Sequence, residues 1–178
     1  MKIIAALALA LGLTFGLTSL AGATAPLTSA NWAGYVLTAG SGGYQSVGAE
    51  WTVPSVNCTP APNGVVAVWV GVNGYSNNGL FQDGTMSYCV GGRAGYWTWW
   101  SDEAAGYSAR YLFPINAGDL VHAQVYQDTS GHWDYAVTDI TTGSSATAPE
   151  SFSGLGTTAE WVVEDPEAPN TKIGRAHV

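Results

Sequence analysis

The segment AEWVVEDPE, Ala159 to Glu167, places four acidic side chains in nine residues that otherwise have the apolar character of a buried β-strand. Side chains alternate between the two faces of a strand, so Trp161 and Val163 point to one side, whereas Glu160 and Glu164 point to the other. We therefore predict a strand with one core-like face and one face that carries carboxylates. Such a strand is either half-solvated in an antiparallel sheet or part of a functional site.

The rest of the chain shows the pattern of an all-β protein. Short segments rich in Val, Tyr, Trp and Thr alternate with turns rich in Gly, Pro, Asn and Ser, and no sustained helical period follows residue 25. We predict one all-β domain, an antiparallel β-sandwich of two packed sheets whose aromatic side chains fill a core and a groove. Segments predicted as strands include NWAGYVLT, YQSVGAEWTV, VVAVWVGV, LFQDGTMSYCV, YWTWWSD, DLVHAQVYQD and HWDYAVTDIT.

The first 25 residues have the layout of a secretory signal peptide, with an early lysine, a long Ala/Leu run and small residues at the end. Cleavage is predicted after Ala23, which gives a signal peptide of residues 1–23, because cleavage after Ala25 would leave Pro26 beside the scissile bond. No later segment is long and apolar enough to span a bilayer. We therefore expect a secreted, extracellular protein.

The last seven residues, KIGRAHV at 172–178, share neither the acidity nor the aromatic richness of the preceding chain. A common sequencing-adapter sequence can encode them, so we expect read-through at this end and a truncated domain over residues 24–171. A sandwich without its C-terminal strands is expected to leave strand edges uncovered.

The chain is strongly acidic, with thirteen Asp and Glu against five Lys and Arg. Three of the five cations, Lys2, Lys172 and Arg175, lie in the signal or the tail, which leaves Arg93 and Arg110 in the predicted domain. We expect neither nucleic acid nor an anionic membrane as a partner of such a domain. The domain becomes nearly neutral only when its carboxylates protonate, at roughly pH 4, so acidic surroundings would suit it.

Most catalytic and metal-binding residue sets are missing from the sequence. Cys58 and Cys89 are its only cysteines, and in an exported chain we predict a disulfide between them. Without neighbouring histidines they do not make a zinc site. His122 and His132 each lie in a strand-like run and fit sheet positions better than the role of a base. No phosphate-binding loop or nucleophile elbow occurs, and we predict no metal and no cofactor.

Carboxylates remain as the candidate catalytic groups. Glu160 and Glu164 are four residues apart, roughly 13 Å along a strand, which is too far for a shared-proton dyad or a glycosidase acid/base pair. If Glu160 is catalytic, its partner therefore comes from another strand.

Six segments in this order resemble the glutamic peptidases of the G1 or eqolisin family, including its bacterial members: NWAGYVL, WTVPSV, VWVGVNGY, LFQDGT, GDLVHAQV and AEWVVED. The resemblance covers residues 31–165. It implies a concanavalin A-like sandwich of two curved antiparallel sheets, and cleavage of proteins at acid pH by a Glu and a Gln on one concave face. It also implies that Glu160 is the catalytic glutamate and Gln82 its partner.

These roles are chemically consistent. The Glu160 carboxylate would take a proton from water as the water attacks a peptide carbonyl, and would return that proton to the leaving amine. Gln82 would donate an amide N–H to the oxyanion, while its carbonyl oxygen helps to hold the water. Because a glutamine does not ionise, this donor works at acid pH, where a histidine base would already be protonated.

The resemblance further implies a substrate groove lined by Trp69 and Trp99, with Trp161 behind the catalytic strand as core. Packing alone is the alternative role for these tryptophans. We place Glu164 near the end of the groove, where its carboxylate influences substrate preference but does not reach the water held by Glu160.

The sequence departs from the family pattern at three positions where relatives often have acidic residues that support the catalytic pair. These positions hold Asn73, Met86 and Ser101. We keep Asn73 as a candidate substrate-binding residue.

Two functions of different classes fit the sequence. The first is a secreted acid endopeptidase, expected to be a monomer, that hydrolyses polypeptides with a Glu/Gln dyad and an activated water. The second is a catalytically silent β-sandwich that binds a glycan or a peptide through the aromatic segment YWTWW at 96–100. Sandwiches of this shape are shared by lectins, so the fold alone does not decide between them.

Overall fold

Twelve β-strands and no helix make up the part of the chain that the computed structural model describes, residues 27–40, 43–75, 79–149, 152, 154–166 and 175–177. The predicted all-β class is confirmed. The strands are β1 Leu27–Thr28, β2 Trp32–Thr38, β3 Ser46–Thr52, β4 Val65–Val72, β5 Phe81–Val90, β6 Arg93–Asp102, β7 Tyr107–Pro114, β8 Leu120–Gln127, β9 Trp133–Asp139, β10 Ser145–Pro149, β11 Thr158–Glu164 and β12 Arg175–His177.

The strands form two sheets. The larger has eight strands in the order β1-β12-β2-β11-β4-β5-β6-β7, and the smaller has four in the order β10-β9-β8-β3. Every pairing is antiparallel except that of β12 with β2. The predicted two-sheet sandwich is therefore confirmed. Within the described ranges, no helix has the length and apolarity needed to cross a membrane.

The main core lies between the two sheets. On β8 the alternate residues Val121, Ala123 and Val125 are fully buried, which is the period-two pattern of a strand with one face in the core. Trp161 of β11 packs against this core, and its Nε1 donates a hydrogen bond of 3.2 Å to the Gly48 carbonyl of β3. The sequence predicted this core position for Trp161.

The outer face of the large sheet, which points away from the small sheet, carries an apolar cluster of its own. The cluster contains Ala67, Trp69, Met86, Trp99 and Val162. The expectation that one face of β11 is core and the other only carries carboxylates is therefore too simple.

The two valines of β11 show the difference. Val162, on the carboxylate face, is 4% exposed, whereas Val163, on the predicted core face, is 43% exposed. Val162 is buried because the outer-face cluster covers it.

The disulfide between Cys58 and Cys89 is present, as predicted. It joins the loop after β3 to the C-terminal end of β5. Closing a loop of 31 residues stabilises the fold by roughly 3.5 to 4 kcal/mol on the loop-entropy account.

The structure describes part of the C-terminal end of the chain but not its first 26 residues. The predicted signal peptide, residues 1–23, lies outside the described residues. Near the other end, β12 pairs antiparallel with β1 and parallel with β2, with Ala176 opposite Gly34. Part of the expected read-through is thus a strand that pairs with the edge of β2, since any extended segment can satisfy the unpaired backbone groups of an edge.

Asp83 is a carboxyl group in the middle of the core. It lies on the inner face of β5 and is fully buried. Its Oδ2 accepts a hydrogen bond from the Gln124 backbone N–H at 3.3 Å, and the carboxyl also interacts with the backbone of Ala136. Its Oδ1 has no hydrogen-bond partner among the described residues. Burial therefore raises the pKa of the Asp83 carboxyl well above its ordinary value, and the two backbone bonds offset only part of this effect.

We predict that Asp83 makes the fold more stable in acid than at neutral pH. Its pKa is higher in the folded than in the unfolded state, so its stabilising contribution is complete below the unfolded-state pKa and is lost as the pH rises through the folded-state pKa. Between these two values the free energy of unfolding falls by about 1.4 kcal/mol per pH unit. In Asp83→Asn this loss disappears, and the variant is more stable than the wild type at neutral pH. Urea unfolding at a series of pH values measures the difference.

The matched control is Glu50→Gln, which neutralises an exposed carboxyl on β3 and should keep the pH dependence of the wild type. Parallel stability curves for Asp83→Asn and the wild type would refute the prediction.

Candidate active site

Glu160 and Gln82 lie in one row of residues across the outer face of the large sheet. In the strand register Glu160 is opposite Gly71, and Gly71 is opposite Gln82. The two side chains therefore share a face, and two strand spacings put their Cα atoms roughly 10 Å apart. Gly71 places no side chain between the carboxyl and the carboxamide, and the Leu80 side chain lies close to this position, with its Cδ1 3.1 Å from where a Cβ of residue 71 would be. The row continues on either side to Val36 of β2 and Ser101 of β6.

The Glu160 carboxyl is buried but well bonded. It is 3% exposed, and its Oε1 accepts hydrogen bonds from the Tyr75 backbone N–H at 2.8 Å and from the Thr158 hydroxyl at 2.7 Å. Burial raises the pKa of the Glu160 carboxyl above its ordinary value. The bonds from Thr158, Tyr75 and the Gly74 backbone offset part of this increase, and the negative charge of Glu103 adds to it.

Gln82 is held on the side away from Glu160. Its Nε2 donates hydrogen bonds to the Ser101 hydroxyl at 3.0 Å and to Glu103 Oε1 at 3.5 Å. Its Oε1 is buried and has no hydrogen-bond partner among the described residues. The carboxamide is thus anchored toward β6 through its nitrogen.

Glu164 lies on the same face, two side chains further along β11. Its Oε2 accepts a hydrogen bond from Trp69 Nε1 at 3.0 Å, and its Oε1 accepts one from Asn31 Nδ2 at 2.9 Å. Burial is the main cause that raises the pKa of the Glu164 carboxyl, and the charges of Glu103 and Asp165 add to it. The pairing of β11 with both neighbours runs without a register shift, so no bulge brings Glu164 to the Glu160 end of the row.

These carboxyls line a pocket of about 320 Å³. Its described walls contain three glutamates, 103, 160 and 164, together with Trp69 and several apolar residues, and no lysine or arginine. The remaining lining residues are Trp32, Val36, Gly74, Tyr75, Leu80 and Val162. Within the described residues, no group of three His, Cys, Asp or Glu side chains is arranged to hold a metal ion.

A larger cavity of about 740 Å³ lies further along the outer face, beyond Met86. Its walls include the aromatic side chains of Tyr88, Trp97 and Tyr111, and none of the described residues that line it carries a carboxyl group. The Glu160 and Glu164 carboxyls are therefore in the smaller pocket, whereas Gln82 is not among its described lining residues. The larger cavity offers apolar space for another part of a long ligand.

The two predicted groove tryptophans have different positions. Trp69 lines the pocket and binds Glu164. Trp99 is 3% exposed and packs inside the outer-face cluster, and it is not among the described residues that line the pocket. The alternative of packing alone, which the sequence left open, describes Trp99 better than the expected wall position.

Asn73 also differs from its expected position. It is buried, and its Oδ1 accepts hydrogen bonds from the Thr157 backbone N–H at 2.7 Å and the Thr157 hydroxyl at 3.1 Å. It adopts a positive φ of 73°, in the left-handed region that Asn tolerates better than most residues. Asn73 therefore joins the end of β4 to the start of β11 and supports the strand of Glu160, rather than facing the pocket.

The other two departures from the family pattern have structural roles. Ser101 binds the Gln82 carboxamide, and Met86 packs in the outer-face cluster, where its sulfur accepts a hydrogen bond from the Tyr111 hydroxyl at 3.4 Å.

Three residues that hydrogen-bond to Glu160 or Gln82 were not predicted from the sequence. Glu103 lies in the turn after β6, one residue beyond the end of the strand, so strand alternation does not place it beside the Gln82 row. Thr158 precedes Glu160 by two residues on β11, so strand alternation could have placed it on the same face. Tyr75 contributes its backbone N–H, which no sequence pattern signals.

The family model that matches the chain is described as the Peptidase A4 family, and the match runs over residues 30–176. The chain belongs to the Peptidase A4 family. The resemblance to glutamic peptidases is thereby confirmed. No curated protein matches the chain by sequence.

Solved structures of glutamic peptidases share the fold. Scytalido-glutamic peptidase with a peptide-based transition-state analogue has a TM-score of 0.64 and 24% identity, and the match covers 78% of this chain and 66% of that one. SCP-B, a member of the eqolisin family in complex with the tripeptide Ala-Ile-His, has a TM-score of 0.59 and 24% identity, with coverages of 78% and 65%. Aspergilloglutamic peptidase from Aspergillus niger has a TM-score of 0.52 and 24% identity, with coverages of 62% and 68%. The chain thus spans about two thirds of the length of these relatives.

We predict that Gly74→Ala disturbs the site without unfolding the protein. A Cβ at this position would lie 2.7 Å from Leu80 Cδ1 and 2.9 Å from Glu160 Oε2, closer than real contacts allow. The Glu160 carboxyl then has to move, which should lower kcat/KM on a protein substrate by roughly ten- to a hundredfold. The control is Gly40→Ala, whose Cβ would meet nothing within 4 Å. Equal activity of the two variants, with equal melting temperatures, would contradict this placement of Glu160.

Proposed function

We propose that the protein is an acid endopeptidase in which Glu160 and Gln82 act on a peptide bond held above Gly71. The observation that carries this proposal is the row Glu160–Gly71–Gln82, which puts a buried carboxyl and a buried carboxamide on one face with no Gly71 side chain between them. Membership of the Peptidase A4 family and the shared fold of the glutamic peptidases support it. Two of those structures hold a peptide-based transition-state analogue and a tripeptide, which supports a polypeptide substrate here.

The proposed reaction is a direct attack by water. The Glu160 carboxylate accepts a proton from a water molecule as the water oxygen bonds to the carbonyl carbon, and the carbonyl oxygen becomes an oxyanion. The Gln82 carboxamide donates an N–H to that oxyanion, which requires it to turn from its bonds with Ser101 and Glu103. The C–N bond then breaks, and the proton on Glu160 passes to the departing amine.

The environment of Glu160 sets the acid side of the pH–rate profile. A general base acts only when deprotonated, so kcat/KM rises as the pH passes through the folded-state pKa of Glu160. Burial raises this pKa, so the acid limb lies above the ordinary value of a glutamate. The base is still a carboxylate, and the working range remains acidic.

The substrate would lie as an extended chain along the outer face. Trp69 and Glu164 bound the catalytic pocket on one side. The apolar cavity around Trp97 would hold a substrate side chain several residues from the scissile bond. The acidic surface and the signal-like first 23 residues support a secreted monomer that binds neither nucleic acid nor membranes.

The glycan-binding alternative has less support. It depends on the aromatic segment at 96–100, but Trp99 and Trp100 are buried. The ring of Trp100 stacks on that of Tyr135, with the two ring centroids 5.0 Å apart. Within the segment only Tyr96 and Trp97 are partly exposed, so it does not present a continuous aromatic platform for a sugar.

We predict different consequences for the two glutamates of β11. Glu160→Gln removes the only proposed base and should lower kcat/KM by roughly a thousandfold. Glu164→Gln removes a carboxyl of the same pocket that does not reach the attacking water, and should change kcat/KM by less than about tenfold, mainly through KM. Cleavage of an acid-denatured protein between pH 3 and 6 measures both.

The two substitutions are matched in chemistry and lie on one strand, so each controls for the other. Equal losses would show that Glu164 takes part in the chemistry. An unchanged rate in Glu160→Gln would reject the endopeptidase mechanism. Polysaccharide binding that survives Glu160→Gln in a protein without peptidase activity would favour the glycan-binding alternative.

A further inference from the structure

Glu103 acts on both members of the proposed catalytic pair, through a hydrogen bond of 3.5 Å with Gln82 and through its charge on Glu160, although it belongs to neither of their strands. It lies in the turn after β6, where its backbone N–H donates to the Leu80 carbonyl at 2.9 Å. Its Oε1 accepts the second N–H bond of Gln82, and its charge acts on Glu160 and Glu164 across the pocket. Glu103 is therefore the described residue that links the carboxamide to the carboxyls of the site.

The bonding of Gln82 is incompatible with its proposed catalytic role as it stands. Nε2 has two acceptors on the β6 side, the Ser101 hydroxyl at 3.0 Å and Glu103 Oε1 at 3.5 Å, while Oε1 is buried with no partner among the described residues. An oxyanion needs an N–H donor, so the carboxamide has to turn by about half a rotation. After such a turn the Ser101 hydroxyl, which can donate as well as accept, would bind Oε1 instead of Nε2.

The charge on Glu103 determines which of the two orientations is preferred. A carboxylate only accepts hydrogen bonds, so it favours Nε2 on its side of the carboxamide. A protonated carboxyl also has an O–H to donate, so it can bind the Gln82 carbonyl oxygen and accommodate the turned amide. Resting on the proposed endopeptidase function, we propose that Glu103 is a positioning residue for Gln82: its carboxylate form holds the N–H away from the substrate, and its protonated form releases it.

The groups around Glu103 influence the protonation of its carboxyl. The groups that face it are the Gln82 carboxamide from β5, the Glu160 and Glu164 carboxyls from β11, and the phenol of Tyr75 in the loop after β4. Glu103 is exposed at the rim, but its pocket side loses water, and this desolvation raises the pKa of its carboxyl. The released form of Gln82 has to coexist with a deprotonated Glu160, so the proposal requires Glu103 to deprotonate on the alkaline side of the Glu160 transition, where the rate then falls.

The first test is the pH–rate profile of Glu103→Gln and Glu103→Leu. Neither variant can carry a negative charge, so the alkaline limb of kcat should move to higher pH, with at least about tenfold more activity retained there than in the wild type. The effect should be on kcat rather than KM, because the oxyanion bond forms in the transition state. The matched control is Glu50→Gln, an exposed carboxyl on β3, which should leave the profile unchanged.

The second test does not depend on activity. In a ¹⁵N-labelled sample, the side-chain NH₂ signals that vanish in Gln82→Ala identify this carboxamide. They should shift with pH in the wild type, in Glu50→Gln and in Glu160→Gln, where Glu160 no longer titrates, and adding Glu103→Gln to Glu160→Gln should remove most of the remaining shift. Signals that titrate identically in Glu160→Gln and in this double variant, or that do not titrate in the wild type, would overturn the role of Glu103. An active Glu160→Gln would instead reject the proposed function.

Discussion

The insertion of β11 between β2 and β4 is the constraint on which the rest of the site depends. The backbone hydrogen bonds of this strand run without a shift on both sides, so the position of Glu160 relative to Gly71 is set by sheet register rather than by any contact between side chains. In the register of β4 with β5 the row continues from Gly71 to Gln82, and in the register of β5 with β6 it continues to Ser101. A slip by one residue would turn Glu160 into the core and Trp161 into the pocket. The Asn73 carboxamide, which binds Thr157 just before β11 begins, helps to exclude such a slip.

A shortage of cations explains the electrostatic character of the molecule. Buried carboxyls in most proteins are paired with Lys or Arg, but Asp83, Glu160 and Glu164 are surrounded by backbone donors, hydroxyls and indoles instead. Hydrogen bonds of this kind stabilise a carboxylate less than burial destabilises it, and all three pKa values are raised. The same physical cause therefore favours the fold in acid and keeps the proposed chemistry in the acid range. The pKa values of the core and of the pocket shift together because both depend on exclusion of water.

The sequence predicted the strand class, the two sheets, the disulfide and the faces of β11, since alternation and turn residues act locally and are visible in a single chain. It could not predict the burial of Val162 or Trp99, because the outer-face cluster exists only once β4, β5, β6 and β11 meet in that order. The position of Asn73 depends on a positive φ that no neighbouring residue signals. The contact of Glu103 with Gln82 depends on the turn after β6, and the pairing of β12 depends on an open edge at β2. Long-range register and loop geometry thus account for the features that the sequence left undetermined.

The central claim is that Glu160 and Gln82 act on one transition state, and a double-mutant cycle on kcat/KM tests it most directly. The cycle compares Glu160→Gln, Gln82→Ala and the double variant with the wild type at the acid optimum, using one peptide substrate. Residues that act as a unit have strongly non-additive effects, so each single change should cost at least about a hundredfold and the double variant little more than the worse single one. Losses that multiply in the double variant, or a Gln82→Ala variant with nearly normal activity, would contradict the account.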